Sequence, residues 1–497
     1  MHRLVYLLLA VLTLQACSKS APEKDERLQE MRGVWITNVD SEVLFDKESI
    51  VEAVDYLADR GFNLMFPVVW NKGYTLYPSQ VMVDYFGEEY RIDPLFAEQG
   101  RDPLEEFIVE AHRRGMEVMP WFEFGFASSF EEDGGHLIAM KPHWAARDSS
   151  GALLKKNGFE WMNAIHPEVQ DFMLALINEV IENYDIDGIQ GDDRLPAMPS
   201  EGGYSEFTAS LYEQETGQRP PASSREPEFL QWKSDKLSDF GGRLYDLVKS
   251  HDENLIVSLS PSVYDWSKRE YLQDSPEWIR RNQVDILHPQ AYRYEIERYL
   301  TTVDDVARYS GYLAMDDGSY YVDRSNVFVS PGVLIKSGPR YNNPEYVLEA
   351  LRYHRELGLH GEIFFFYEGL HHANEYLADS LYTHFYHEPA VLPYRSNPDW
   401  RFEAIILDAD AATAEIPQSG NYRVFAEIPL GEVYDGAVAV NLGVNETHRE
   451  LSHSQFALGG GWNHVGQTEL VSGDTVKLDS VTGAPAQRIM LLINRKK

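Results

Sequence analysis

"HPEVQDFMLALINEVIENYDIDGIQGDDR", residues 166–194, joins a helical stretch, an acidic turn and a short apolar strand that stops on two adjacent aspartates. Each carboxylate is costly to desolvate, and neighbouring ones repel. Asp192-Asp193 is therefore either an exposed turn or a pair that the fold holds for chemistry. Side chains alternate along a strand, so Gln190 and Asp192 share one face while Ile189 and Asp193 take the other. With Ile189 packed outward, Asp192 points to the mouth of whatever the strands enclose, and Asp193 points sideways to orient Arg194 or a neighbouring strand end.

The same unit recurs along the chain. "DKESIVEAVDYLADRGFNLMFPVVW" sets Ile50, Val54 and Leu57 at helical spacing, stops at Gly61, and runs apolar from Leu64 to Trp70. "DPLEEFIVEAHRRGMEVMPWFEF" opens with Asp102 as N-cap and Pro103 at the first helical position, and Gly115 ends its helix. "LYDLVKSHDENLIVSLSPS", "WIRRNQVDILHPQAY", a less regular unit ending "NVFVSPGVL", and "NPEYVLEALRYHRELGLHGEIFFFYEG" follow. With the opening strand "RGVWITN" the count is about eight, which predicts an α/β fold, a (β/α)8 TIM barrel. No Gly-rich dinucleotide fingerprint follows the first strand, so a doubly wound Rossmann sheet lacks its defining feature. From about Pro398 the pattern turns to short alternating runs ("RFEAIIL", "NYRVFAEIP", "AVAVNLGV", "RIMLLINR") between Gly, Asn and Pro turns. This predicts a C-terminal all-β sandwich, fibronectin III-like, of about a hundred residues.

The 497 residues carry 44 Lys plus Arg against 79 Asp plus Glu, a net charge of −35. That balance excludes nucleic acid as a partner, because phosphate binding needs a basic stripe. The N-terminus "MHRLVYLLLAVLTLQACSKS" is apolar from Leu4 to Leu14, too short to span a bilayer and shaped like a secretory signal. It ends in Leu14-Gln15-Ala16-Cys17, which is similar to a bacterial lipobox. Cys17 is then the lipidated N-terminus and membrane anchor, and as the only cysteine it rules out intrachain disulfides. Ser18, by resemblance to Gram-negative lipoproteins, directs it to the outer membrane facing the periplasm. The expected division is a signal peptide over 1–16, a polar tether over 17–30, a barrel over 31–387 and the β-sandwich over 388–497.

Polar residues cluster at the carboxyl ends of the apolar runs: Asn38, Asp40, Asn71, Glu123, Asp192, Asp193, Gln290 and Glu368. Barrel enzymes place catalytic groups there. Glu123 shares a face with Trp121, and Glu368 follows three phenylalanines and Tyr367. A carboxylate among aromatics has its pKa raised and can act as a general acid, and glycoside hydrolysis needs two carboxylates in differing environments. Asp192, with Glu123 or Glu368, and with Asp193 in support, forms the expected catalytic set. Trp70, Asn71 and Tyr74 after the second strand, His288, Gln290 and Tyr292 on one face of another, and Asn38, Asp40, Trp121, Arg194 and Tyr367 are candidate substrate contacts. The histidines at 371, 372 and 387 lack any metal-binding spacing, so no metal or cofactor is expected.

"MRGVWITNVDSEVLF", "FPVVWNKGYTLYPS", "MPWFEFGF", "WMNAIHPEVQDF", "DGIQGDD", "SLSPSVYDW" and "FFFYEGL" resemble, in order, the glycosyl hydrolase-like 10 family of bacterial lipoproteins. The resemblance implies a glycosidase-type barrel acting on a β-linked amino-sugar polymer, such as peptidoglycan glycan strands stripped of stem peptides. Residues 188–192 are also similar to the amylase-type strand, where the last acid is the nucleophile. The chain departs from the family at Gly191, usually leucine, and at Arg194, usually histidine. Arg194 removes the acid that a chitinase-type strand would need there. Cleavage assisted by the substrate's N-acetyl group stays open, with Asp192 as the assisting acid. Arg194 has two readings: a bidentate site for an anion such as a lactyl carboxylate, or a salt bridge to Asp193. The alternatives to a hydrolase are a non-catalytic glycan-binding lipoprotein and a metal-dependent deacetylase.

Overall fold

In the computed structural model the described residues are 27–496 apart from 324–326, 372–375, 409–412, 435, 454–457, 484–485 and 487, so Cys17 and His372 lie outside them. Eight parallel strands follow the expected repeat: β1 (Met31–Ile36), β2 (Leu64–Pro67), β3 (Glu117–Val118), β4 (Gly188–Gly191), β5 (Ile256–Leu259), β6 (Ile286–Leu287), β7 (Phe328–Val329, resuming at Gly332–Leu334) and β8 (Gly361–Phe365). β1 pairs with both β2 and β8, and β2 pairs with β3. β4, β5, β6 and β7 form a second parallel ladder, which reaches β8 through Gly332–Leu334. Single bridges from Trp121 to Gln190 and from Gln290 to Gly332 join the two ladders. The fold is of the TIM-barrel type.

The helix before β4 shows why the repeat folds this way. Pro167–Asn183 begins with Pro167 in its first turn, and its buried side chains include Val169, Phe172, Met173, Leu176, Ile177 and Val180. Those positions recur at three- and four-residue steps, so one stripe packs on the sheet. β4 itself begins and ends on glycine because neighbours crowd it. A Cβ on Gly188 would lie 2.4 Å from the Ile256 carbonyl oxygen, and one on Gly191 2.4 Å from that of Leu195. The departure to Gly191 thus lets the chain after β4 fold back against the strand.

The C-terminal region is β-rich. Ile405–Asp408, Arg488–Ile493, Gly420–Tyr434 and Leu458–Leu470 form one antiparallel sheet; Ala414–Glu415, Thr475–Thr482, Val438–Val444 and Thr447–His453 form another. Leu407, Val424, Ile428, Val440, Leu442, Val476 and Leu491 share a buried core. Two segments differ from the expected division. Leu28–Gln29 pairs with Ala390–Val391, and Glu30 is buried against Arg32 and Arg355, so the end of the expected tether is built into the fold. Residues 388–401, expected with the sandwich, strap the amino-terminal end of the parallel sheet: Arg395 pairs with Glu117 at 2.7 Å.

Arg401 completes this attachment. Its guanidinium lies 2.9 Å from Asp185 and 2.8 Å from Asp187, just ahead of β4, with all three side chains buried. Burial alone would push both acids up, but Arg401 and His112 outweigh it and hold them below the ordinary aspartate value. Val109 adds an apolar contact with Phe425, Met490 and Leu492. We expect Arg401→Ala to cost about 3–5 kcal/mol in urea unfolding, because it strands two buried charges. Acids with depressed pKa values contribute stability that is present above the ordinary value of 3.8 and lost as pH falls through their folded values. The variant and the parent should therefore converge only below that pH, and equal stability at neutral pH would refute the assignment.

Candidate active site

β4 delivers Asp192 to the carboxyl end of the sheet, where it is 2% exposed. Its two oxygens accept three hydrogen bonds: from Trp121 Nε1 at 3.2 Å, from the Arg194 backbone N–H at 2.9 Å and from an Arg194 terminal nitrogen at 3.1 Å. The same nitrogen lies 3.6 Å from Glu123 Oε1, while Arg194 Nε donates to the Glu123 carbonyl oxygen at 2.7 Å. The other terminal nitrogen meets Asp193 Oδ1 at 3.2 Å. One guanidinium thus serves three acids from two strand ends, and it lies over the Phe159 ring at 4.8 Å. Gly125, in the left-handed region at φ +46°, clears the space: a Cβ there would sit 2.1 Å from the Arg194 carbonyl oxygen.

Burial pushes the Asp192 carboxyl well up; Asp193 and Glu123 add to this and Arg194 opposes it. Burial also raises Glu123, against the pull of Arg194 and a hydrogen bond from Asn71 Nδ2 to Oε2. The Arg194 guanidinium itself is held more firmly protonated: burial disfavours its charge, but Asp192, Asp193 and Glu123 outweigh that. Beneath the acids lies an aromatic floor. Trp35 and Trp121 are 6.3 Å apart between ring centres, Phe365 is 6.1 and 6.4 Å from them, and Tyr292 is 5.3 Å from Phe365.

Several expected contacts fall elsewhere. Trp70 is fully buried, donates Nε1 to the Gly125 carbonyl oxygen at 3.0 Å and packs on Phe172, so it anchors a loop and offers no ring face. Tyr367 is also buried, turned towards Tyr56 and His371. His288 lies below the floor between Trp35 and Phe66; it bonds the Ser330 carbonyl oxygen at 3.0 Å, and burial pushes it down to about 3. The anion-binding reading of Arg194 also falls, because its donors are already engaged by Glu123, Asp192 and Asp193. Glu368 stands outside the cluster: it accepts from Ser41 Oγ at 2.7 Å and has no hydrogen bond or ion pair to Asp192 among the described residues. Asp40 is exposed and paired with Lys336. Asn38 is half-buried with Oδ1 unpartnered, Gln290 donates to the Ser260 carbonyl oxygen at 3.2 Å, and Tyr74 lies against Tyr90 and His136.

One member was not singled out from the sequence. Gln273 donates Nε2 to the Asp192 carbonyl oxygen at 3.0 Å, and its Oε1 accepts from the Ser262 N–H. It follows a short helix, not a strand, so the strand-end rule passed over it.

Solved structures share this overall fold. The glycoside hydrolase domain of PgaB (BpsB) from Bordetella bronchiseptica superposes with a TM-score of 0.52 at 14% identity, covering 71% of this chain and 98% of that one. The catalytic domain of the β-amylase from Paenibacillus polymyxa does so at 0.50 and 10%, covering 73% and 99%. The chain shares the TIM-barrel-type fold of these two domains. More narrowly, it belongs to the Glycosyl hydrolase-like 10 family, which matches residues 30–311. Glycosyl hydrolase DigH of Escherichia coli is 22% identical over 325 residues, 57% of this chain and 70% of the relative; glycosyl hydrolase YngK of Bacillus subtilis is 22% identical over 400 residues, 73% of each.

Among the described residues Arg194 is the one cation ion-paired with Asp192 and Glu123, so Arg194→Gln should destabilise the protein by about 3 kcal/mol at neutral pH. Acids whose folded pKa values are raised destabilise the fold when ionised, and protonation relieves this. The deficit should therefore shrink as pH falls towards the raised values of Asp192 and Glu123, as read by urea unfolding at neutral and mildly acid pH. A deficit that is constant with pH would show that Arg194 acts through packing instead.

Proposed function

We propose that the protein is a glycoside hydrolase acting on a β-linked amino-sugar polymer, namely peptide-stripped peptidoglycan glycan. In this reading it is anchored through lipidated Cys17 in the outer membrane, facing the periplasm. It is built as a (β/α)8 barrel over 31–387 with a fibronectin III-like sandwich behind it. The observation that carries the enzymatic reading is the guanidinium nitrogen shared by Asp192 and Glu123. With both carboxylates on one nitrogen, their nearest oxygens are no more than about 7 Å apart, a limit that admits the roughly 5 Å spacing of a retaining glycosidase pair.

The two acids have unequal surroundings. Glu123 is the more open, at 12% side-chain exposure against 2%, and its raised proton affinity suits a general acid at the leaving oxygen. Asp192 accepts at both oxygens; in this reading those donors, two of them from Arg194, hold it as the carboxylate nucleophile against the burial that raises its proton affinity, or as the acid that steadies the substrate's N-acetyl group. Asp193 holds Arg194. Of the aromatic rings, Tyr292 and Phe365 keep part of their surface open and are suited to stack on a sugar face. The deep burial of Asp192 favours one alternative, a glycan-binding protein without turnover, in which the acids only hold the rim together.

Incubation with peptide-stripped and intact sacculi, followed by mass analysis of the products, separates these readings. The soluble form should release fragments from stripped glycan. Asp192→Asn and Glu123→Gln should each lower release at least about a hundredfold while staying folded, whereas Glu368→Gln should stay within about tenfold of the parent. Binding without any fragments would leave the non-catalytic reading, and full activity in Asp192→Asn would remove that residue from the chemistry.

A further inference from the structure

Beside the acid cluster lies a cavity of about 340 Å³ lined by Ser262, Val263, Trp266, Gln290, Tyr292 and Arg293. Gln273 ties its wall to the site, bonding the Ser262 N–H on one side and the Asp192 carbonyl oxygen on the other. Ser262 is bridged to Gln290, so the loops after β5 and β6 form one rim. Trp266 stands 45% exposed, its ring centre 5.6 Å from that of Tyr271. An exposed indole face on the rim of a hollow that also holds Gln290 and Arg293 suits the apolar face of a pyranose.

The cation is the second observation. Arg293 is half-buried in a chain of net charge −35, yet among the described residues it forms no ion pair. One of its nitrogens donates to the Tyr292 carbonyl oxygen at 2.7 Å. Of the nearby acids, Asp265 pairs with Arg269, and Asp305 feels both Arg308 and Arg293 without bonding the latter. Arg194 is already paired with three carboxylates, whereas Arg293 keeps donors to spare.

We propose that this cavity is a subsite for a sugar ring that carries a carboxylate, with the ring on Trp266 and the carboxylate on Arg293. It rests on the glycan-processing reading and refines it. A lactyl ether exposes a charged carboxylate only when no peptide is joined to it; an amide there would be neutral and bulky. Arg293 would then read whether the strand has been stripped.

Calorimetric titration tests this with peptide-free glycan oligomers and with the same oligomers after their carboxyl groups are reduced to alcohols. Binding is measured in Asp192→Asn, which removes turnover from the readout. Reduction should weaken binding about tenfold, as expected for one charge-assisted contact. Adding Arg293→Gln should weaken native oligomers by the same factor and abolish the difference between the two ligands. Arg293→Lys should keep the difference, and Trp266→Ala should weaken both ligands alike. A difference that survives Arg293→Gln, no effect of reduction, or no binding of either ligand overturns the subsite. Discriminating binding by a protein that releases no fragments overturns the hydrolase and leaves the subsite standing.

Discussion

Arg194 is the counterion on which the arrangement of the acids depends. Two adjacent aspartates and a glutamate from the next strand end could not be buried together in a low-dielectric rim without a cation among them. The guanidinium comes from the same turn as Asp192 and Asp193 and reaches Glu123 across the strand gap. Two glycines make room for it. Gly191 admits the returning backbone at Leu195, and Gly125 admits the carbonyl of Arg194 itself. The arginine and Gly191, the two departures from the family pattern around β4, therefore belong to one local solution: a tighter turn that carries its own charge.

β4 has acids at both ends, and their environments are opposite. Asp185 and Asp187, at its entrance, meet Arg401 from the strap that follows the parallel sheet, and their proton affinity falls. Asp192, at its exit, has like charges as neighbours and a raised affinity. Burial acts in the same direction on both groups; the ratio of cations to acids separates them. The entrance acids hold the C-terminal region to the sheet, and the exit acids are poised to exchange a proton.

Much of this was legible in the chain. The helix–turn–strand unit recurs with enough regularity to give strand order and fold type, and the rule that polar groups gather at strand ends found Glu123, Asp192, Asp193, Asn71 and Trp121. The same rule failed for Trp70 and Tyr367, because a position near a strand end does not say whether a ring faces the mouth or the helices. It also set Glu368 beside Glu123 as an equal, since two glutamates in aromatic company look alike in sequence. Gln273 and Arg293 lie beyond its reach on connecting segments.

Local periodicity and turn residues were enough to predict the type of fold and the β-rich C-terminal region, because each depends on neighbours a few residues apart. Which glutamate meets Asp192, which arginine is engaged and which keeps donors to spare, and where the strap from 388 to 401 lies depended on contacts between segments tens to hundreds of residues apart. Those contacts exist only once parallel strands close side by side, and no spacing within one segment encodes the distance between two strand ends.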